Sequence, residues 1–325
     1  MTSITDNEYL DKIKTRILAL SDWAWGGYPS WPDVDNWLQN FKGSTGYTKE
    51  QEKIHALFIL SEFLFFGNKQ IRTLLQALYR DHFLIPMIEK IRNNNANTRN
   101  LEDISQLFKK ELELTKFLGI GNPSESGAHL LYYFRQENDL QKTNFEEVGN
   151  LLKIEKDANG NEKKVLSDQN IVRYVFIDDI CGTGDTAIKY SNDILSEIRN
   201  IDNRIEFHYL TLFATNIGLK EVKQNTVFGE NCKTIFELDS TYQLLSETSR
   251  YFRNQPKLID KKVTSEIVRY YGSLLWKDCP CGYGNCQLIL GMGHNIPNST
   301  IPIIWYENDA IVWVPIFKRY AKGKF

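Results

Sequence analysis

The run Tyr174-Val-Phe-Ile-Asp-Asp-Ile-Cys-Gly-Thr-Gly-Asp-Thr-Ala187 narrows what this chain can fold into more than any other stretch. Tyr174 to Ile177 form a short apolar and aromatic run of the kind that becomes a buried strand. Asp178 and Asp179 stand at its carboxyl end, Gly182 and Gly184 punctuate the loop that follows, and residues 185 to 198 read as a helix. Glycines let backbone N–H groups approach an anion, and a helix start adds partial positive charge. The hydroxyls of Thr183 and Thr186 can add hydrogen bonds. Two carboxylates repel a phosphate, so they are expected to face vicinal hydroxyls or a magnesium ion. The pattern is that of a phosphate-and-sugar site.

The same residues resemble the phosphoribosyl-pyrophosphate (PRPP) loop of type I phosphoribosyltransferases: an apolar strand, two acids, a short link, then Thr-Gly-Gly/Asp-Thr. Asp178 to Thr186 fill it, with Gly182 standing where many members carry a hydroxyl residue. The resemblance implies that Asp178 and Asp179 hold the ribose hydroxyls and that Gly182, Thr183, Gly184, Asp185 and Thr186 surround the 5′-phosphate. It also implies Mg2+ as cofactor, at Asp178 and Asp179 or through the ligand. Gly182, Gly184 and Ala187 satisfy a dinucleotide fingerprint as well, but there two aspartates directly before the glycines would oppose the pyrophosphate. The run 205–213 also ends in Ala214-Thr215-Asn216, without the ribose-binding acid such a site needs. A P-loop is excluded because no Gly-Lys-Ser/Thr follows. An ordinary strand-turn-helix with acids before the turn is the bland alternative.

The 325 residues suffice for one large domain or two small ones, and 42% hydrophobic content supplies a core. A net charge of −2 argues against nucleic-acid binding by bulk charge, although a local basic patch would still admit a nucleic-acid substrate. The N-terminus lacks the basic-then-apolar order of a signal peptide, and the most apolar stretch, 56–66, is interrupted by Ser61 and Glu62. Five cysteines, an odd number, fit a reducing compartment. A cytoplasmic protein without membrane partners is expected.

Residues 8–92 read as helical from three- and four-residue apolar spacing, with Trp23, Trp25, Trp31 and Trp37 as packing residues. The polar stretch 92–100 reads as a boundary, giving an α-helical N-terminal region, 1–100, and a second domain, 101–325. In the latter, 101–118 reads as a helix and 128–135 as a strand. A hairpin turning at Asn159-Gly160, strands at 204–214, 234–238 and 288–290, and helices at 219–224, 241–252 and 263–276 complete it. Alternating strand and helix point to an α/β fold with a parallel sheet flanked by helices, its ligand at the strands' carboxyl ends.

Phosphoribosyltransferases also carry a pyrophosphate loop upstream and a mobile hairpin before the PRPP strand. Ser124 to Gly127, including Ser126, resemble the first and Arg135 would neutralise a leaving group; Lys163 or Lys164 would reach it from the second. A surface turn and a solvated hairpin are the alternatives. Near the C-terminus, Cys279, Cys281, Cys286 and His294 could be a zinc set, but C-x-C-x4-C-x7-H lacks the paired C-x2-C spacing of structural sites, so no zinc is expected. Residues 282–287 and 294–305 instead resemble the C-terminal signature of the PRTase-CE domains of bacterial conflict systems, as do Phe66-Gly67 and Leu78-Tyr79-Arg80 further upstream. His294, a candidate catalytic residue, Asn295 and Asn298 would then contact the base or the reacting ribose.

The resemblance implies an enzyme that binds PRPP or a related nucleotide and exchanges the substituent on the anomeric carbon, as an anti-phage effector. Its partner would be a conflict-system protein, RNA or DNA, such as a retron complex, and an oligomer is compatible with it. The acceptor, whether base, protein, nucleic acid or water, is left open. The alternative is a catalytically inactive subunit that senses PRPP or a nucleotide.

Overall fold

The computed structural model describes residues 6–120, 126–156, 160–307 and 311–319. Helices α1 (Asp6–Trp23), α2 (Trp31–Leu38) and α3 (Lys49–Ser61) lead to a short strand, β1 (Leu64–Phe66), and to α4 (Asn68–Tyr79), α5 (Ile85–Asn94) and α6 (Leu101–Glu113). Next come β2 (Thr115–Gly119), α7 (Ser126–Glu137), β3 (Leu152–Lys156), β4 (Glu162–Leu166) and β5 (Arg173–Cys181). They are followed by α8 (Asp185–Tyr190), α9 (Ser196–Ile201), β6 (Glu206–Thr215), α10 (Asn216–Asn225) and β7 (Cys232–Leu238). The chain continues through α11 (Lys261–Leu275), β8 (Leu290–Met292) and α12 (Pro302–Trp305).

Two compact units result: Met1–Ile71 together with Leu238–Phe325, and Arg72–Glu237. The polar stretch 92–100, read from sequence as a boundary, lies inside the second unit, between α5 and α6. Its Asn100 caps α6 by accepting a hydrogen bond from Glu102 N at 3.0 Å. Polar composition marks a surface loop; only long-range contacts decide where a unit begins.

In the first unit, α3 starts at a reciprocal cap in which Thr48 Oγ1 accepts from Gln51 N (3.2 Å) and Gln51 Oε1 from Thr48 N (3.0 Å). β1, not anticipated within the helical reading of 8–92, pairs in parallel with β8, Leu64 opposite Leu290. Trp25 and Trp37 are buried, and Trp37 donates from Nε1 to Ile303 O at 2.9 Å. Trp23 is 89% exposed, which corrects its reading as a packing residue: as the last residue of α1 it falls off the buried face of Tyr9, Ile13 and Ile17. The expected helix 241–252 is absent; the segment holds only single turns, Ser240–Tyr242 and Arg250–Phe252. Asp239 caps Thr241 N at 2.9 Å, and the Arg250 guanidinium stacks over the Tyr242 ring at 3.3 Å, so local side chains take up the backbone here.

The second unit is built on a sheet of order β2-β5-β6-β7, with β2/β5 and β5/β6 parallel. The sequence placed a helix over 101–118, but α6 stops at Glu113 and Thr115 to Gly119 pair with Arg173 to Ile177. Phe117 and Leu118, both fully buried, serve opposite faces of the sheet. Conversely, the strand-like 128–135 is part of α7, which buries Leu130 and Phe134 four residues apart. Both errors have one cause: short apolar runs carry no decisive period, and sheet pairing arbitrates. Phe134 and Phe117 meet at 5.3 Å on one face, while Phe176 and Tyr190 meet at 5.7 Å on the other, so helices cover both. β3 and β4 form the expected hairpin, Leu152 opposite Leu166, although Asn159 lies outside the described residues.

Candidate active site

β5 runs through the middle of the sheet and delivers Asp178 and Asp179 to its carboxyl end. Successive strand residues point to opposite faces, so the two acids diverge. Asp178 shares its face with Phe176 and, across on β6, Tyr209. Tyr209 Oη donates to Asp178 Oδ2 at 2.7 Å, and Asp179 N donates to Asp178 Oδ1 at 2.9 Å. Asp179 is only 3% exposed, and its Oδ1 accepts from Ile180 N at 2.8 Å. Burial first, and the neighbouring Asp179 carboxylate second, hold the Asp178 carboxyl well above the usual carboxylate range, against the opposing effect of the Tyr209 hydrogen bond.

The loop after β5 turns through Gly184 at φ +88°, a left-handed conformation that favours glycine, and Gly184 caps α8. The first helical bond runs from Ile188 N to Gly184 O at 2.9 Å, so the helix itself uses none of the N–H groups of Asp185, Thr186 and Ala187. Asp185 and Thr186 are exposed, and Gly182 and Thr183 partly so. From α8 the chain continues through a wide turn, Ser191–Leu195, into α9. The loop is braced from β6 and α10: Thr215 Oγ1 donates to Gly182 O at 2.5 Å and accepts from Gly218 N at 2.9 Å. A Cβ on Gly218 would lie 2.2 Å from Gly182 O, so only glycine admits this approach.

β2 ends beside the acid pair, with Gly119 in register with Ile177. The loops after β2 and after β5 therefore leave the same end of two adjacent parallel strands, the position where ligands sit in such sheets. That is where a pyrophosphate loop upstream of the PRPP loop would have to stand.

The profile of the PRTase-CE family matches residues 34–319. The chain belongs to the PRTase-CE family. Among solved structures it is similar to Helicobacter pylori xanthine-guanine-hypoxanthine phosphoribosyltransferase, at 13% identity and a TM-score of 0.21 over 35% of this chain and 77% of that one. It is also similar to the AQ2163 protein from Aquifex aeolicus, at 13% identity and a TM-score of 0.26 over 65% and 85%. No curated protein matched.

Within this PRTase-CE chain the other sequence candidates are spread out. Ser124 lies outside the described residues, and Ser126 opens α7. Arg135 sits in the last turn of α7 on the wall of a cavity. Lys163 and Lys164 are exposed on β4, and Lys164 pairs with Glu197 at 2.8 Å. His294, Asn295 and Asn298 belong to the first unit, whereas the acid pair belongs to the second. Met292 and Asn295 exchange backbone hydrogen bonds of 2.9 and 3.1 Å around His294, and Asn298 O accepts from Tyr283 N at 2.8 Å. Cys281 and Cys286 are buried, Cys279 half-buried, and burial raises the Cys281 thiol. No helix among the described residues is long and apolar enough to cross a membrane. Sequence reasoning missed Tyr209, Thr215 and Gly218. The only signal for the latter two was Thr215 three residues before Gly218 at a strand-to-helix junction, a capping pattern.

Proposed function

We propose that this chain binds PRPP, or a nucleotide with the same ribose 5-phosphate, together with Mg2+, and exchanges the substituent on the anomeric carbon. The observation that carries this reading is the loop itself: an acid pair ending a central parallel strand, then Gly184 in a left-handed conformation at the start of a helix. The N–H groups of Asp185 to Ala187, with the hydroxyls of Thr183 and Thr186, would take the 5′-phosphate. Asp178 and Asp179 would face the ribose, where carboxylates stabilise positive charge developing at the anomeric carbon. Among the described residues no group of three or more His, Cys, Asp or Glu could hold a metal, so Asp178 and Asp179 suit an ion that takes its remaining ligands from phosphate and water. Bound there, Mg2+ would offset the charge of the leaving pyrophosphate.

A second reading, a PRPP or nucleotide sensor without catalysis, draws support from Asp178, whose two oxygens are both engaged within the fold. Calorimetry with PRPP and Mg2+, followed by an assay for released pyrophosphate in the presence of bases and of water alone, separates the two. Binding with release supports the enzyme and binding without release the sensor. Absence of binding overturns both. Family membership further supports an effector role in anti-phage conflict, with a protein or nucleic-acid partner. Plating phage on cells that carry the system, with and without Asp178→Asn/Asp179→Asn, tests that role; undiminished protection by the double variant would refute it.

A further inference from the structure

In the second unit, beyond the carboxyl end of β2, lies a cavity of about 810 Å3. Gly119 and Ile120 close its inner end, α7 forms one wall, and Tyr190 and Ile194, on the helical run that follows the phosphate loop, form another. We propose that this cavity is a second ligand site, taking a planar aromatic ring that carries one anionic group.

Three observations specify that chemistry. The volume is that of a small-molecule pocket, and Leu131, Phe145 and Ile194 give it apolar walls on opposite sides, as a flat ring requires. Arg135 and Lys142 line it, and among the described residues neither has an ion-pair or hydrogen-bond partner for its side chain. The acids on the same cavity do not neutralise them: Glu146 Oε1 accepts from Asn150 Nδ2 and from Glu147 N, both at 3.1 Å, and Glu147 is exposed. Finally, the Tyr190 hydroxyl is buried and without a partner among the described residues, while Phe176 holds its ring in place at 5.7 Å. A buried hydroxyl on a cavity wall normally finds a partner, and a polar edge of the ring would supply one. The anion would sit with Arg135 and Lys142, the ring between the apolar walls, and its edge at Tyr190.

This inference does not depend on the phosphoribosyl reading. A nucleoside monophosphate and an aromatic carboxylate share the required chemistry, so the full chain is titrated calorimetrically with AMP and UMP in one arm and with benzoate and quinaldate in the other. One class is expected to bind at submillimolar concentration, at least tenfold more weakly in Arg135→Gln and several-fold more weakly in Tyr190→Phe. PRPP titrated into Tyr190→Phe is expected to bind as it does to the wild type, and saturating PRPP should not displace the aromatic probe. Absence of binding by both classes at millimolar concentration, unchanged affinity in Arg135→Gln, or displacement by PRPP would overturn the proposal. Failure of PRPP to bind would overturn the phosphoribosyl reading alone.

Discussion

The hydroxyl of Tyr209 donates a 2.7 Å hydrogen bond to Oδ2 of Asp178, joining two adjacent strands at the end of the sheet where the phosphate loop begins. Tyr209 is itself buried and stacked on Phe228 at 5.4 Å, so its hydroxyl is fixed by packing before any ligand arrives. The bond lowers the Asp178 carboxyl against burial and the adjacent Asp179, which raise it. Tyr209→Phe removes only the hydroxyl and should weaken PRPP binding by on the order of 1 kcal/mol at neutral pH. Because Asp178 then rises further, the lost affinity should return at higher pH. A pH series of calorimetric titrations checks this; a variant weakened equally at every pH would show that Tyr209 acts by packing alone.

Asp178→Asn should stabilise the ligand-free protein while abolishing PRPP binding. A carboxyl raised in the folded state contributes stability that is present below its unfolded value, about 4, and is lost as pH rises through the folded value. The amide carries no such loss, and each unit of elevation relieved is worth about 1.4 kcal/mol. Melting temperatures measured across pH should therefore diverge from wild type as pH rises and converge in acid. Equal melting curves at neutral pH would contradict the burial argument.

Gly218→Ala should disturb the phosphate loop from outside it. The new Cβ would press on Gly182 O, forcing either the loop or α10 to shift, at a cost of about 1–3 kcal/mol. Gly184→Val is a poorer probe of phosphate binding, since φ +88° and a Cβ 2.9 Å from Val222 Cγ2 disfavour it without any ligand. Thr186→Val, on an exposed residue, should keep the melting temperature and lose part of the ligand-induced shift, which normally grows as RT ln(1 + [L]/Kd). A full shift in Thr186→Val together with unchanged stability in Gly218→Ala would remove this loop from the site.

Arg173 begins β5 at the end opposite the acid pair and is 2% exposed. It donates to Glu206 at 2.9 Å, Glu111 at 3.2 Å and Thr115 Oγ1 at 3.0 Å, clamping α6, β2 and β6. Arg173→Ala should destabilise the second unit by about 3 kcal/mol, the low end for a broken buried pair, because both glutamates keep partial access to water. Urea unfolding measures it, and a loss below about 1 kcal/mol would place the pair among surface bridges.

Stoichiometric zinc is not expected, on the spacing of Cys279, Cys281, Cys286 and His294. Elemental analysis of untagged protein decides it, and one equivalent of zinc would overturn the expectation.

The sequence by itself determined the centre of the second unit. In residues 174–187 strand, acids, glycines and helix follow within a few residues, and each local preference agrees with the final structure, so β5, the loop and α8 were legible together. The strand at β6 and the hairpin β3/β4 were legible for the same reason. What only the tertiary structure decided was every feature that depends on a partner far along the chain. Residues 115–119 became a strand because β5 offered an edge to pair with, and 126–137 a helix because Phe134 had Phe117 to meet. Tyr209 was one more aromatic in a strand until the register set it beside Asp178, and Thr215 and Gly218 became loop supports only when α10 was brought against Gly182. The first unit closes with residues from both ends of the chain, Trp37 bonding to Ile303 O, a proximity that no local pattern encodes because hydrophobic burial fixes how much surface is covered but not which distant segment covers it.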